Sequence, residues 1–438
     1  MWLAGLVFVS MACDNSSSDD PTSTDTQNTN PDGGTDTDTS FGTDTASETD
    51  TTLEIVSSEE MLARSLLSAG NNVRVKALLD KAANGEEVTL AYIGGSITEG
   101  YTKTSKDSYV VGSYEMFKAR FGAGDGSNVN YVNAGMGGTP STLGMIRYHR
   151  DVTAVAPSPP DLVFVEFAVN DGDDTTNGAA YESLVRTILL SENHPAVVLL
   201  FSVFKSRWNL EDRLVPVGEH YNLPMISIKA AVEPELDAGT ITDDEFFRDD
   251  YHPTSYGFRI MSETIDYYFR TVAAAETDAA DVTVPDDAVI GKQFTGIVMV
   301  DPNTETVSGT LEVDPGSFTG YDDSLRVYEW SMSKKTFDTN WQKETPDSND
   351  PFRLTVTCKN AAIVYKESTL ATTYGTAEAY VDGTLVQTMS GYDTDAWNNP
   401  WTIVLFEEEE AASHTIEIRM AEADADKQFT ILAFGYTP

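Results

Sequence analysis

The 438-residue chain reads as an α/β unit followed by an all-β unit, and three patterns lead there. From Thr52 to about Tyr268, short continuous apolar runs alternate with helical stretches, as in a parallel sheet covered by helices on both faces. After residue 287 the helical stretches stop, and short runs of alternating polarity follow one another as in an antiparallel β domain. Over residues 14–52 the chain is mostly Asp, Thr, Ser, Asn and Gly, with Phe41 the only aromatic, and buries too little apolar surface to offset the entropy of ordering.

Residues 62–85 read as a leading helix and 88–95 as the first buried strand. A helix over 108–122 stops at Gly122. Strands follow over 129–135, 161–169, 196–204 and 225–228, with a helix over 179–190 between the third and fourth. A helix over 255–270, with Ile260, Met261, Ile265 and Tyr268 on one side, closes the unit. Residues 271–287 read as a helix tail running into a linker. Short strands are expected over 294–301, 309–314, 325–332, 352–359, 361–367, 376–389, 401–406, 414–420 and 429–436, with Asp382-Gly383 as a hairpin turn. Their number without helices predicts a β-sandwich of jelly-roll type. The expected division is 1–13 signal, 14–52 disordered tether, 53–275 α/β domain, 276–287 linker and 288–438 β-sandwich.

Residues 1–13 are apolar, end in small residues before Cys13 and meet a polar stretch at once. This resembles a bacterial lipoprotein signal, which implies acylation at Cys13 and a cell-surface location, with secretion or a periplasmic location as the alternative. No Lys or Arg precedes the apolar run, Ser10 stands where Leu is usual, and the segment is too short to span a bilayer. The formal net charge is −42, and removing the ten acids of residues 14–52 leaves −32 on the rest. Such a field repels nucleic acid and anionic lipid but not a neutral polysaccharide. Membrane contact is therefore expected only through the N-terminal anchor. Cys13 and Cys358 and the five scattered His show no metal spacing, so no metal or cofactor is expected, and Cys358 reads as a buried free thiol.

Chemistry-bearing residues cluster after strands. The first strand runs into Gly94-Gly95-Ser96, the second into Asn133-Ala134-Gly135-Met136-Gly137-Gly138, the third into Asn170-Asp171, and Asp249-x-x-His252 precedes the closing helix. Those positions converge on one edge of a parallel sheet. Alone, Gly-Ser after a strand is an ordinary structural turn, and Thr98 departs from the G-x-S-x-G elbow of α/β-hydrolases. Together the four blocks resemble, in order and spacing, the SGNH (GDSL-like) hydrolase superfamily over residues 60–270, in the GGSIT form found in secreted bacterial carbohydrate esterases. Gly95 replaces the Asp of the Gly-Asp-Ser signature. The resemblance implies a flavodoxin-like three-layer sandwich with a parallel sheet. It also implies Ser96 as nucleophile, His252 as base and Asp249 as its orienting carboxylate. The oxyanion donors would be Ser96 N–H, Gly138 N–H and the Asn170 amide.

Other residues admit plainer readings. Asp250 is an alternative to Asp249. Asp171, Asp173 and Asp174 read as a solvated turn and lack the ligand run of a calcium loop. Trp208, after the fourth strand, is either a sugar platform or a packing residue, and so are Trp330, Trp341, Trp397 and Trp401 of the β domain. His149, His194, His220 and His414 read as ordinary surface or core residues. The β domain resembles the jelly-roll module attached to some acetylxylan-type esterases. The expected function is therefore removal of O-acetyl groups from an extracellular polysaccharide such as xylan. The alternatives are a lipase or lysophospholipase, acetyl transfer to a glycan, or a carbohydrate-binding protein with a vestigial hydrolase domain.

Overall fold

A computed structural model of the chain describes residues 56–100, 108–331, 333–343 and 348–438. The expected signal, the acylated Cys13 and the tether over 14–52 lie outside the described residues.

The α/β unit begins with α1 (Glu59–Ser65), β1 (Leu66–Ser68) and α2 (Val73–Ala83). It continues with β2 (Val88–Gly94), α3 (Ser96–Glu99), α4 (Tyr109–Phe121), β3 (Val129–Gly135), α5 (Ser141–Tyr148), β4 (Leu162–Glu166) and α6 (Ala179–Leu189). The unit ends with β5 (Ala196–Phe201), α7 (Glu211–His220), β6 (Met225–Ser227), α8 (Ile228–Ala238), α9 (Asp243–Phe246) and α10 (Ser255–Ala274). The sheet order is β1-β6-β5-β4-β2-β3, and β2 to β6 are mutually parallel in the flavodoxin-like order. Every residue of β2, β4 and β5 is buried, because helices cover both faces. The expected leading helix over 62–85 is two helices around β1, which pairs antiparallel with β6 as an edge strand. Asn71 N–H bonds Asn222 O there, and Gly70 at φ +56 is pressed against Leu223 and Pro224. This tertiary pairing overrides helical periodicity at Leu66–Ser68.

The β domain contains β7 (Val298–Val300), β8 (Leu311–Asp314), β9 (Trp341–Lys343), β10 (Phe352–Lys366), β11 (Thr376–Val381), β12 (Thr384–Ser390), β13 (Pro400–Met420) and β14 (Phe429–Thr437). All its pairs are antiparallel, in the order β12-β11-β13-β10-β14-β7 with β8 on β10 and β9 on β14. Four of the expected short strands fuse into two long ones, β10 and β13. These pair along their length through bulges at Cys358/Asn360 and Ala361/Ala362. Beyond the bulge, the free edge of β10 changes partner from β8 to β14, so one strand serves two parts of the wrapped sheet. Cys358 is a buried free thiol, and burial pushes its pKa up to about 12. Asp382 (φ 51) and Gly383 (φ 83) form the expected hairpin turn. The strand expected over 325–332 does not form among its described residues: 325–331 are a loop that folds back on residues 334–336 through the isolated Val327–Lys335 bridge.

The two domains share one core. Ile146 and Leu143 of α5, Leu184 and Ile188 of α6, Phe294, Ile297, Tyr328, Ala362, Val364 and Leu432 belong to a single apolar cluster. Gly435 of β14 lies where any Cβ would strike Ile146. The linker is tied down along its length: Asn72 bonds Asp278 reciprocally, Arg74 pairs with Asp281, and Arg186 donates to Pro285 O and Asp287 O. The buried Glu182 carboxylate then accepts Val289, Ile290 and Gly291 N–H.

Candidate active site

Ser96 is the first residue of α3 and follows β2, whose neighbours β3 and β4 lie on opposite sides. That is the topological switch point of the sheet, where strand ends splay apart and leave room for a ligand. The turn is tight. A Cβ on Gly95 would stand 1.9 Å from Asn170 Oδ1, so the Asn170 carboxamide fills the space beside the nucleophile loop and excludes a side chain at 95. This packing accounts for glycine at the position where the signature has Asp.

His252 Nε2 lies 3.0 Å from Ser96 Oγ. Its Nδ1 lies 2.9 and 3.0 Å from the two Asp249 oxygens. Asp249 Oδ1 also accepts Tyr251 N–H at 2.9 Å and His252 N–H at 2.8 Å, so the Asp-x-x-His turn fixes both partners by its own backbone. Burial would raise the Asp249 carboxyl, but the hydrogen bond and charge of His252 and the two backbone donors hold it well below the usual carboxylate range. Asp250 takes no part in this arrangement. Its backbone oxygen accepts Lys205 N–H on the opposite side.

The second and third blocks lie beside the first. Met136 N–H bonds Gly94 O, and Gly138 adopts φ +67 with its Cα against the indole of Trp397. Asn170 follows β4, is 5% exposed and packs on Gly95. Ser96, His252 and Asp249 thus form one hydrogen-bond chain with Asn170 packed beside it on Gly95, although 156 positions separate Ser96 from His252, and Gly138 follows Met136 on the neighbouring strand end. Trp208 is 41% exposed, stacks on Phe204 and lies against Gly172, two residues past Asn170. Phe204 in turn meets Tyr251 beside His252.

Several residues gain roles from contacts that sequence position does not display. Arg147 is fully buried; it donates to Ala134 O (2.6 Å) and Gly94 O (3.0 Å) and pairs with Asp151, clamping the ends of β2 and β3 beneath Ser96. Glu99, three residues after Ser96, accepts Gly137 N–H. Glu166 is fully buried under the loop and accepts the Thr98 hydroxyl, which also meets Tyr109; burial raises the Glu166 carboxyl to about 7. The expected solvated turn is corrected at two of its three positions. Asp171 accepts Ser141 N–H and Oγ–H, and Asp174 accepts the Thr142 and Thr176 hydroxyls and Gly178 N–H, both buried at the starts of α5 and α6. Only Asp173 is solvent-exposed. Of the β-domain tryptophans, Trp341 is core and Trp330 and Trp401 pack against core clusters. Trp397 alone among the four meets the nucleophile's neighbourhood.

A nucleophilic hydroxyl, an imidazole within hydrogen-bond reach and a carboxylate behind it form a site for acyl transfer through a serine. Residues 92–260 match the model of the GDSL-like lipase/acylhydrolase family, and this part of the chain is a GDSL-like lipase/acylhydrolase domain. Two crystal structures of a two-domain esterase active on acetylated mannans, one co-crystallised with mannopentaose, superpose with a TM-score of 0.71 at 26% identity. They cover 86% of this chain, and 98% and 99% of their own chains. A search of curated proteins found no match. The chain is a carboxylic ester hydrolase of the SGNH type with a C-terminal antiparallel β domain.

Proposed function

We propose that the protein removes O-acetyl groups from an extracellular polysaccharide through an acyl-enzyme on Ser96. The observation that carries the reading is the continuous Ser96–His252–Asp249 hydrogen-bond chain at the sheet's switch point. His252 Nε2 takes the Ser96 hydroxyl proton as Oγ attacks the acetyl carbonyl carbon. The tetrahedral oxyanion is met by Ser96 N–H, Gly138 N–H and the Asn170 amide, each such donor contributing about 10²–10³ in rate. Collapse expels the sugar hydroxyl, which receives the proton from His252. Water then repeats the sequence and releases acetate. Asp249 keeps Nδ1–H pointed away from the nucleophile and stabilises the imidazolium.

The substrate class rests on the two-domain esterase active on acetylated mannans, whose chain this one matches almost end to end. The exposed Trp208 ring beside the site is suited to stacking on a sugar. Acetylated mannan is therefore the first substrate to try and acetylated xylan the second. Acetate release should be abolished, to below about 10⁻³ of wild type, by Ser96→Ala; equal release would remove Ser96 from the mechanism. Among nitrophenyl esters, activity should be highest with acetate; a maximum at long chains would favour a lipase. Acylation at Cys13 would tether the enzyme outside the cell, and incorporation of labelled palmitate lost in Cys13→Ser tests it.

A further inference from the structure

Glu99 is a carboxylate with 1% of its surface exposed, placed between the nucleophile loop and the β domain. Its Oε2 accepts Gly137 N–H at 2.6 Å and Arg326 Nη2 at 2.8 Å, and its Oε1 accepts Glu329 N–H at 2.6 Å. Arg326 and Glu329 lie 227 and 230 positions later, on the loop that replaces the expected strand over 325–332. The Arg326 guanidinium lies against Gly137, where a Cβ would come within 2.8 Å of Nη2. The Trp397 indole does the same at Gly138. Arg326 N–H bonds Asn398 O, so these two outer contacts form one local unit of the β domain. The strand-end segment Gly137-Gly138 is therefore gripped from inside by Glu99 and from outside by Arg326 and Trp397.

We propose that Glu99 and Arg326 are positioning residues for the oxyanion hole, and that the loop carrying Arg326 completes this hole from the β domain. The inference rests on the reading of Gly138 N–H as an oxyanion donor. Its physical basis is the cost of a buried carboxylate. Glu99 is tolerated because one cation and two backbone donors compensate it. Without Arg326 the carboxylate must turn toward water or other donors, and it pulls on Gly137 through the oxygen it shares. Gly138 sits one residue away in a left-handed conformation, so a small rotation there re-aims its N–H. Because such donors act at the position of the developing oxyanion, misalignment lowers turnover more than it weakens substrate binding. The loop carrying Arg326 and Glu329 thus makes the β domain a part of the catalytic apparatus even for an ester that carries no sugar.

The test uses the full chain and nitrophenyl acetate, with Ser96 titrated to completion by a fluorophosphonate so that kcat is expressed per reactive site. Arg326→Ala and Glu99→Gln should each lower kcat per labelled Ser96 by 10-fold or more with KM within about threefold. Arg326→Lys, which keeps the charge and loses the planar fork, should fall between Arg326→Ala and wild type. The double variant should be no worse than about threefold below the poorer single, since both act through one contact. A role in folding alone would lower the labelled fraction and leave kcat per labelled site unchanged, and that result overturns the proposal. If Arg326→Ala does not fold, Arg326→Lys and Glu99→Gln are read the same way, and kcat per site within twofold of wild type in both overturns it. An active Ser96→Ala would instead remove the mechanism on which the inference rests, and the inference with it.

Discussion

At the scale of single residues, the site is held by local backbone as much as by side chains. Asp249 receives three hydrogen bonds from the two residues Tyr251 and His252, so the carboxylate is aimed before any substrate arrives. Asp249→Asn should reduce kcat on nitrophenyl acetate by about 100-fold or more through loss of the correct tautomer. Asp250→Asn, whose contribution is a backbone carbonyl, should stay within about threefold of wild type. The same kinetic series decides between them, and the opposite order would reassign the orienting residue. Glu166 offers a separate prediction. Its folded-state carboxyl titrates near 7 because it is buried, above the ordinary value of 4.5. The folded protein then binds more protons than the unfolded chain between those pH values, so stability falls as pH rises from about 4.5 to about 7. Glu166→Gln should flatten this decline, and melting temperature measured from pH 5 to pH 8 would reveal it. An unchanged slope would show that Glu166 is already ionised in the folded state.

At the scale of elements, glycine positions record where strand ends crowd each other. Gly95 faces the Asn170 carboxamide, and Gly138 combines φ +67 with the Trp397 ring 2.4 Å from any added Cβ. Gly138→Ala therefore meets both a conformational penalty of about 1–2 kcal/mol and a steric one. We expect at least a 10-fold loss of kcat, partly restored when Trp397→Ala is added, because the second change removes only the steric part. Steady-state kinetics of the three variants would check this, and a double variant no better than Gly138→Ala would place the whole defect in the backbone. The elements themselves were mostly legible. Fully buried runs such as 88–94 and 196–201 read as parallel strands because apolar residues fall on both faces of each. The periodicity of 66–68 continues that of its helical neighbours, and only pairing with β6 makes it a strand. Residues 325–332 alternate like a strand, but Leu325 and Tyr328 turn into the shared core while Arg326 reaches Glu99, which no ladder position allows.

At the scale of the whole molecule, the α/β and β domains are one folding problem. Ile146, Phe294, Ile297, Ala362, Val364, Leu432 and Ala433 belong to one buried apolar cluster to which both domains contribute. A chain ending at residue 287 would expose the outer faces of α5 and α6 and leave the Glu99 carboxylate without Arg326. We expect such a truncation to be poorly soluble or protease-sensitive, and at least 100-fold less active on nitrophenyl acetate than the full chain. A stable, fully active fragment, judged by gel filtration, limited proteolysis and kinetics, would contradict both the shared core and the contribution of the β domain to the site.

By itself, the sequence determined the order of the two domains, the strand ends that lie together, and the Ser96, His252 and Asp249 that the fold joins by hydrogen bonds. Each of these follows from local pattern: apolar runs set the strands, and strand ends in a parallel sheet meet at one edge. Tertiary structure decided which carboxylates are buried and what holds them. Asp171 and Asp174 read as a solvated turn, and nothing in the local pattern singles out Glu99. Their burial depends on Ser141, Thr142 and Arg326, which arrive from elsewhere in the chain. A charge's environment is set by its spatial neighbours, and a one-dimensional pattern carries no record of partners two hundred residues away.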